Sequence, residues 1–150
     1  MSNKNQPAVA DALNALLADS FALYLKTKNY HWHVKGPSFR SLHLLFDEQA
    51  AQILATTDLI AERVRKNGAA TLRSIGDISR HQSIKDDDAA SVDAETMVRN
   101  LAADNETLLA QLKDAKTAAE ADGDIATSGL VDGWADETQQ RIWFLKATLA

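Results

Sequence analysis

The sequence contains no cysteine, two prolines and six glycines among its 150 residues. Without cysteine there is no disulfide scaffold, zinc–thiolate site, iron–sulfur cluster or thiol nucleophile. So little glycine and proline excludes low-complexity and argues against an all-β architecture. No uninterrupted apolar run approaches the ~20 residues that span a membrane. The opening Met1–Pro7 stretch lacks the apolar segment of a signal peptide, and the expected location is therefore the cytoplasm. Basic residues are also in deficit, 16 against 21 acidic ones for a formal charge of −5, which weighs mildly against nucleic acid as a partner. No internal repeat or linker interrupts the chain, and one domain over 1–150 is expected, with a flexible tail at 1–6. A chain of this length buries roughly two thirds of its unfolded surface, so folding requires neither metal nor disulfide.

What is present is helical periodicity. A first segment is expected from Pro7 to Val34, where Leu13, Leu17, Phe21 and Tyr24 recur at helical spacing. Leu16, Leu23 and Leu25 broaden its apolar coverage and predict burial on more than one side. Gly36-Pro37 breaks the chain, and Ser38 is placed to cap a second helix over Phe39–Lys66. Its stripe is Leu42, Phe46, Gln49, Ile53, Ile60 and Val64, closed by Asn67-Gly68. A third long helix is expected over Ser91–Ala121, with Met97, Leu101, Leu108, Leu112, Ala115 and Ala119 facing inward. After the turn Asp122-Gly123-Asp124 a fourth runs over Ile125–Leu149, with Val131, Trp134, Thr138, Ile142, Leu145 and Leu149 on its stripe. Connections longer than about 12–15 residues rarely lack structure, so a short helix is expected near Ser74–His81 in the long middle crossover. The fold class is all-α: a four-helix bundle with two tight hairpins and one long crossover, the ferritin-like connectivity.

The second helix carries the chemistry. With Leu42 at zero, its core stripe spans about −20° to +40° at ~100° per residue. On that wheel His43 falls near 100°, Asp47 near 140°, Asp58 near 160° and Glu62 near 200°, away from the core. His43/Asp47 and Asp58/Glu62 are i, i+4 pairs, each on adjacent turns. His43 and Asp58 lie ~22 Å apart along the axis and cannot grip one metal ion within a chain. His31, by contrast, is folded back toward His43 by the Gly36-Pro37 turn. Each chain thus offers two half-sites, His31/His43 and Asp58/Glu62, which antiparallel pairing of two copies would join. Imidazole with carboxylate oxygen suits iron(II), manganese or zinc. No Glu-x-x-His occurs, which sets the chain apart from bundles that hold two irons in the core. Helical Asp and Glu also serve as plain solvated faces, and a His at a helix end as a packing residue. Only the joint pattern distinguishes the metal reading.

The run Asn29-Tyr30-His31-Trp32-His33-Val34-Lys35-Gly36-Pro37-Ser38-Phe39, then His43-Leu44-Leu45-Phe46-Asp47, then Asp58-Leu59-Ile60-Ala61-Glu62-Arg63, closely resembles the Dps family of ferritin-like mini-ferritins. The resemblance covers nearly the whole chain, including Met97-Val98-Arg99 and the last helix with Trp143. It implies a hollow dodecamer with ferroxidase centres on its two-fold interfaces. There His31 and His43 come from one subunit, Asp58 and Glu62 from its partner. It also implies that Asp47 is a further ligand or neighbour of that centre. Trp32 beside it would receive oxidising equivalents, or would be simply a buried interface aromatic. The substrate and cargo implied is iron, oxidised from Fe(II) to Fe(III) by hydrogen peroxide or, more slowly, dioxygen and stored as ferric mineral. Entry pores in the family lie near the junction of the last two helices, where Asp122, Asp124 and Asp132 are candidates, or are turn and cap residues.

DNA-compacting members of the family use a mobile Lys/Arg-rich tail. Only Lys4 precedes Pro7, and the chain stops at Lys146-Ala147-Thr148-Leu149-Ala150. A dodecamer of chains at −5 each would carry about −60, which repels DNA over the Debye length. Direct DNA binding is expected to be weak or absent. The competing reading is a nucleoid-associated DNA-protecting protein with little iron chemistry. A third is a structural helical assembly whose histidines and carboxylates are incidental.

Overall fold

The computed structural model describes residues 6–150. Five helices follow in order: α1 Gln6–His33, α2 Phe39–Lys66, α3 Ile75–His81, α4 Ala94–Asp122 and α5 Ile125–Ala147. Helices α1 and α2 form one antiparallel hairpin and α4 and α5 another. The hairpins meet mainly through α1 on α4, and the short α3 lies against α1. This is the ferritin-like four-helix bundle with an extra helix in its crossover. The expected tail at 1–6 falls outside the described residues over 1–5, while Gln6 already belongs to α1.

The stripes read from periodicity form the core. Leu42, Phe46, Gln49, Ile53, Ile60 and Val64 are buried along α2, and Met97, Leu101, Leu108, Leu112, Ala115 and Ala119 along α4. Helix α1 is the central element. Val9, Leu13, Leu16, Leu17, Leu23 and Tyr30 are all buried because it faces α2 on one side and α4 on another. Leu25 departs from that expectation and is 58% exposed, in an open groove that it shares with α3. By length and hydropathy alone the Ala8–His33 stretch could cross a membrane. Here it serves as the core helix of the bundle, and it bears the buried Asp19 and the ion-paired Lys26.

The helix ends show what stops each element. Gly68 at φ +85° and Gly123 at φ +70° occupy left-handed conformations that cost glycine no Cβ clash. At the second, Gly123 N donates to the Glu120 carbonyl and Asp124 N to that of Ala119, the paired bonds of a Schellman motif. Asp124 then caps α5, accepting from Thr127 N at 3.0 Å and Thr127 Oγ1 at 2.6 Å, and it also accepts from Asn67 Nδ2 at 2.8 Å. One carboxylate thereby ties the end of α2 to the start of α5.

The helix ends differ from expectation in detail. Helix α4 begins at Ala94 rather than Ser91, because the Asp93 side chain accepts from Thr96 N and fixes the first turn there. Helix α5 ends at Ala147 rather than Leu149. Thr148 Oγ1 bonds back to the Leu145 carbonyl, and Leu149 N reaches only as far as Lys146. Ser38 precedes α2 as expected but its side chain makes no capping bond. Its backbone (φ −99°, ψ 19°) belongs to a tight turn closed by Phe39 N on the Gly36 carbonyl, so its hydroxyl is not aimed at the free amides.

The crossover is held on α1 at successive stations. Asp19, fully buried, accepts from Ser83 N and Ile84 N through Oδ1, and from Ser83 Oγ and Gln111 Nε2 through Oδ2. Lys26 Nζ donates to the Lys85 carbonyl and pairs with Asp104 of α4 at 2.9 Å. Asn29 Nδ2 donates to the Asp87 carbonyl, and the Tyr30 hydroxyl donates to the Asp87 carboxylate. Burial, and secondarily the Asp87 bond, pushes the Tyr30 phenol well above its ordinary pKa. The last of these anchors therefore lies one residue from His31.

Candidate metal centre

The end of α1 and the start of α2 bring His31 and His43 face to face. Their rings stack with centroids 3.9 Å apart and planes 13° apart. Each ring is held by the other residue's main chain: His31 Nδ1 lies 2.6 Å from the His43 carbonyl, and His43 Nδ1 lies 2.7 Å from the His31 carbonyl. A carbonyl only accepts, so both Nδ1 atoms carry the proton, and in the neutral rings both lone pairs reside on Nε2. Fixing one ring nitrogen this way orients the other for a metal ion. Phe39, four residues before His43, stacks on its ring at 4.9 Å.

Asp47, one turn beyond His43, completes the cluster. Its Oδ1 lies 3.7 Å from His31 Nε2, beyond hydrogen-bonding range, and 2.8 Å from Lys28 Nζ. The Lys28 hydrogen bond holds the Asp47 carboxyl below its usual range against an opposing desolvation, and the charges of Lys28 and the two histidines add to the lowering. Asp47 is half exposed, so this ion pair contributes no more than about 1 kcal/mol. The Lys28 ammonium also lies 5.9 Å from the centre of the Trp32 ring. Trp32 itself is 57% exposed.

The remaining carboxylates stand elsewhere. Asp58 and Glu62 lie exposed further along α2, about four and five turns from His43. Among the described residues no group of three or more His, Asp or Glu side chains could hold a metal ion within the single chain. The sequence thus located His31, His43 and Asp47 in one place and Asp58 and Glu62 in another. It did not single out Lys28, although its position three residues before His31 places it on the same face of α1. At the opposite end of the bundle, Asp124 serves as the α5 cap and Asp132 pairs with Lys116 at 2.7 Å, while Asp122 is half-buried.

An all-α bundle with this crossover and a carboxylate–imidazole cluster on its outer face defines a ferritin-like protein. The ferritin-like domain model matches residues 10–150. DNA protection during starvation protein 2 of Bacillus anthracis is 34% identical over 141 residues, covering 94% of this chain and 96% of that one. Among solved structures, a Dps protein from Bacillus brevis superposes with a TM-score of 0.95 at 31% identity over the full length of both chains. The DPS protein from Vibrio cholerae O1, described as a member of a broad superfamily of ferritin-like diiron-carboxylate proteins, gives 0.93 at 29% identity. It covers 100% of this chain and 94% of its own. The chain belongs to the Dps family of ferritin-like proteins.

Proposed function

We propose that the protein is a ferroxidase and iron store. It oxidises Fe(II) at centres shared between two subunits and deposits ferric mineral inside a dodecameric shell, protecting against oxidative damage. The observation that carries this reading is the pair of stacked histidines locked by reciprocal Nδ1–H···O=C bonds, which leaves both Nε2 lone pairs as donors. Asp58 and Glu62 of a second copy supply the carboxylates that a single chain lacks. Leu25, Trp32 and Ile75 stand exposed along one groove that reaches His33 at the end of α1, the face such a copy would cover.

Iron is substrate and cargo here. Imidazole nitrogen and carboxylate oxygen suit Fe(II), and anionic oxygen stabilises Fe(III) more than Fe(II), which lowers the reduction potential and favours oxidation. Hydrogen peroxide is the proposed oxidant, with dioxygen the slower one. One peroxide accepts one electron from each of two ferrous ions, its O–O bond breaks, and two protons complete two waters. Consuming both reagents together suppresses hydroxyl-radical formation. Trp32, next to His31 in the chain and exposed in the single subunit, would take up stray oxidising equivalents.

The test is peroxide-dependent Fe(II) oxidation followed by ferric absorbance in the assembled particle. A His31→Ala/Asp58→Ala variant that still assembles by size-exclusion chromatography should lose at least the about 10–100-fold that loss of a supporting residue costs a metal site. Full activity in that particle would reject the site.

A further inference from the structure

The Asn67-Gly68 pair that closes α2 carries a chemistry that the iron reading does not use. Where glycine follows asparagine, no Cβ shields the glycine nitrogen, and that nitrogen can attack the side-chain amide carbon. A cyclic succinimide forms as the Cγ–Nδ2 bond breaks. The amide nitrogen leaves as ammonia, taking the proton of the attacking N–H. Water then opens the ring to aspartate or isoaspartate. Water is the only co-reactant. Gly68 is exposed, with a left-handed φ of +85°, so solvent reaches the attacking nitrogen.

Three contacts oppose the reaction by engaging the groups that must meet. Gly68 N donates to the Arg65 carbonyl at 2.9 Å. Asn67 Oδ1 accepts from the Arg63 guanidinium at 2.9 Å, and Asn67 Nδ2 donates to Asp124 Oδ2 at 2.8 Å. We propose that Asn67 is a deamidation site latched by Asp124, and that conversion to aspartate severs the tie between α2 and α5 for good. The Arg65 and Arg63 contacts lie within the end of α2 and loosen whenever that end frays. Only Asp124 reaches Asn67 from another element. It is itself fixed by the bonds it accepts from Thr127 N and Oγ1, so it anchors the amide to a capped helix. In the product a carboxylate replaces the Nδ2 donor and meets Asp124 with like charge, which leaves the end of α2 without that anchor.

The experiment incubates the purified full chain, in its native assembly, in mildly alkaline buffer well below its melting temperature. Digestion at low pH, where the ring does not close, and peptide mass spectrometry then read the conversion of Asn67. Asp124→Ser keeps a side-chain oxygen for the Thr127 amide but is too short to reach Asn67. It should convert at least about tenfold faster than wild type, the factor set by one hydrogen bond to a charged acceptor. Thr127→Val loses one capping bond yet leaves Asn67 Nδ2 on Asp124. It should convert at the wild-type rate, which separates the latch from weaker capping. Asn67→Asp, the product's own side chain, should melt about 3 °C below wild type at the same protein concentration. Equal conversion in wild type and Asp124→Ser would overturn the latch. So would wild type converting as fast as its urea-unfolded chain. An unchanged melt for Asn67→Asp would overturn the severed tie.

Discussion

Asp19 offers the sharpest test of how the crossover is held. It is the only carboxylate with no exposed surface among the described residues, and its four hydrogen bonds all reach the strap or α4. Replacing it by alanine orphans two amides, of which that of Ile84 is buried and that of Ser83 is partly solvated. A buried donor left without a partner costs about 1–3 kcal/mol, and loss of bonds to a charged acceptor adds a similar amount. The expected loss is about 3–4 kcal/mol, or a fall in Tm of about 10 °C for a chain of this size at fixed protein concentration. Asp19→Asn should be far milder. Its Oδ1 still accepts both amides. Its new Nδ2 meets Gln111, whose Oε1 is buried without a partner and becomes available when that amide turns over. A cost of about 1 kcal/mol is expected. Chemical denaturation of both variants decides the matter. Equal losses for alanine and asparagine would refute the reasoning, since the asparagine retains an acceptor for both amides and the alanine has none.

Two further outcomes follow from the same structure. Gly123→Ala places a Cβ at φ +70°, with no neighbour in the way, so only backbone strain is felt; a loss of about 1 kcal/mol in denaturant midpoint is expected. Asp87 is held below the ordinary carboxylate range chiefly by the Tyr30 hydroxyl, and Asp93 by the Thr96 amide. A carboxylate depressed in the folded state contributes stability that is present above its unfolded pKa of about 4 and lost as the pH falls through the folded value. Denaturation midpoints should accordingly hold from neutrality to about pH 4 and then decline, with a shallower decline in Asp87→Asn.

Much of this architecture was legible from apolar spacing. The stripes of α2 and α4 are buried residue for residue, because a helix between two neighbours has only one way to hide a 3.6-residue repeat. Boundaries were less legible. Whether Ser91 or Asp93 starts α4 depends on which side chain reaches an amide, and a serine and an aspartate are equivalent in sequence. Leu25 shows the converse limit: composition cannot distinguish a leucine facing the bundle from one left on an outer face. At the centre, the hairpin turn and the i, i+4 spacing were enough to bring together His31, His43 and Asp47. The grip of each imidazole on the opposite main chain was not legible, since it depends on the separation of two helix axes. Lys28 was hidden for the same reason, its partner lying 19 residues away on the facing helix.

The reciprocal clasp between the two histidines makes them a single mechanical part. Removing either ring strips the other of its stacking partner but leaves the main-chain carbonyl that steers it. Substitutions at the two positions should be non-additive for metal binding, since both imidazoles serve one centre. Redesign of this donor pair for another metal would have to replace both rings at once and supply a new steering contact for each.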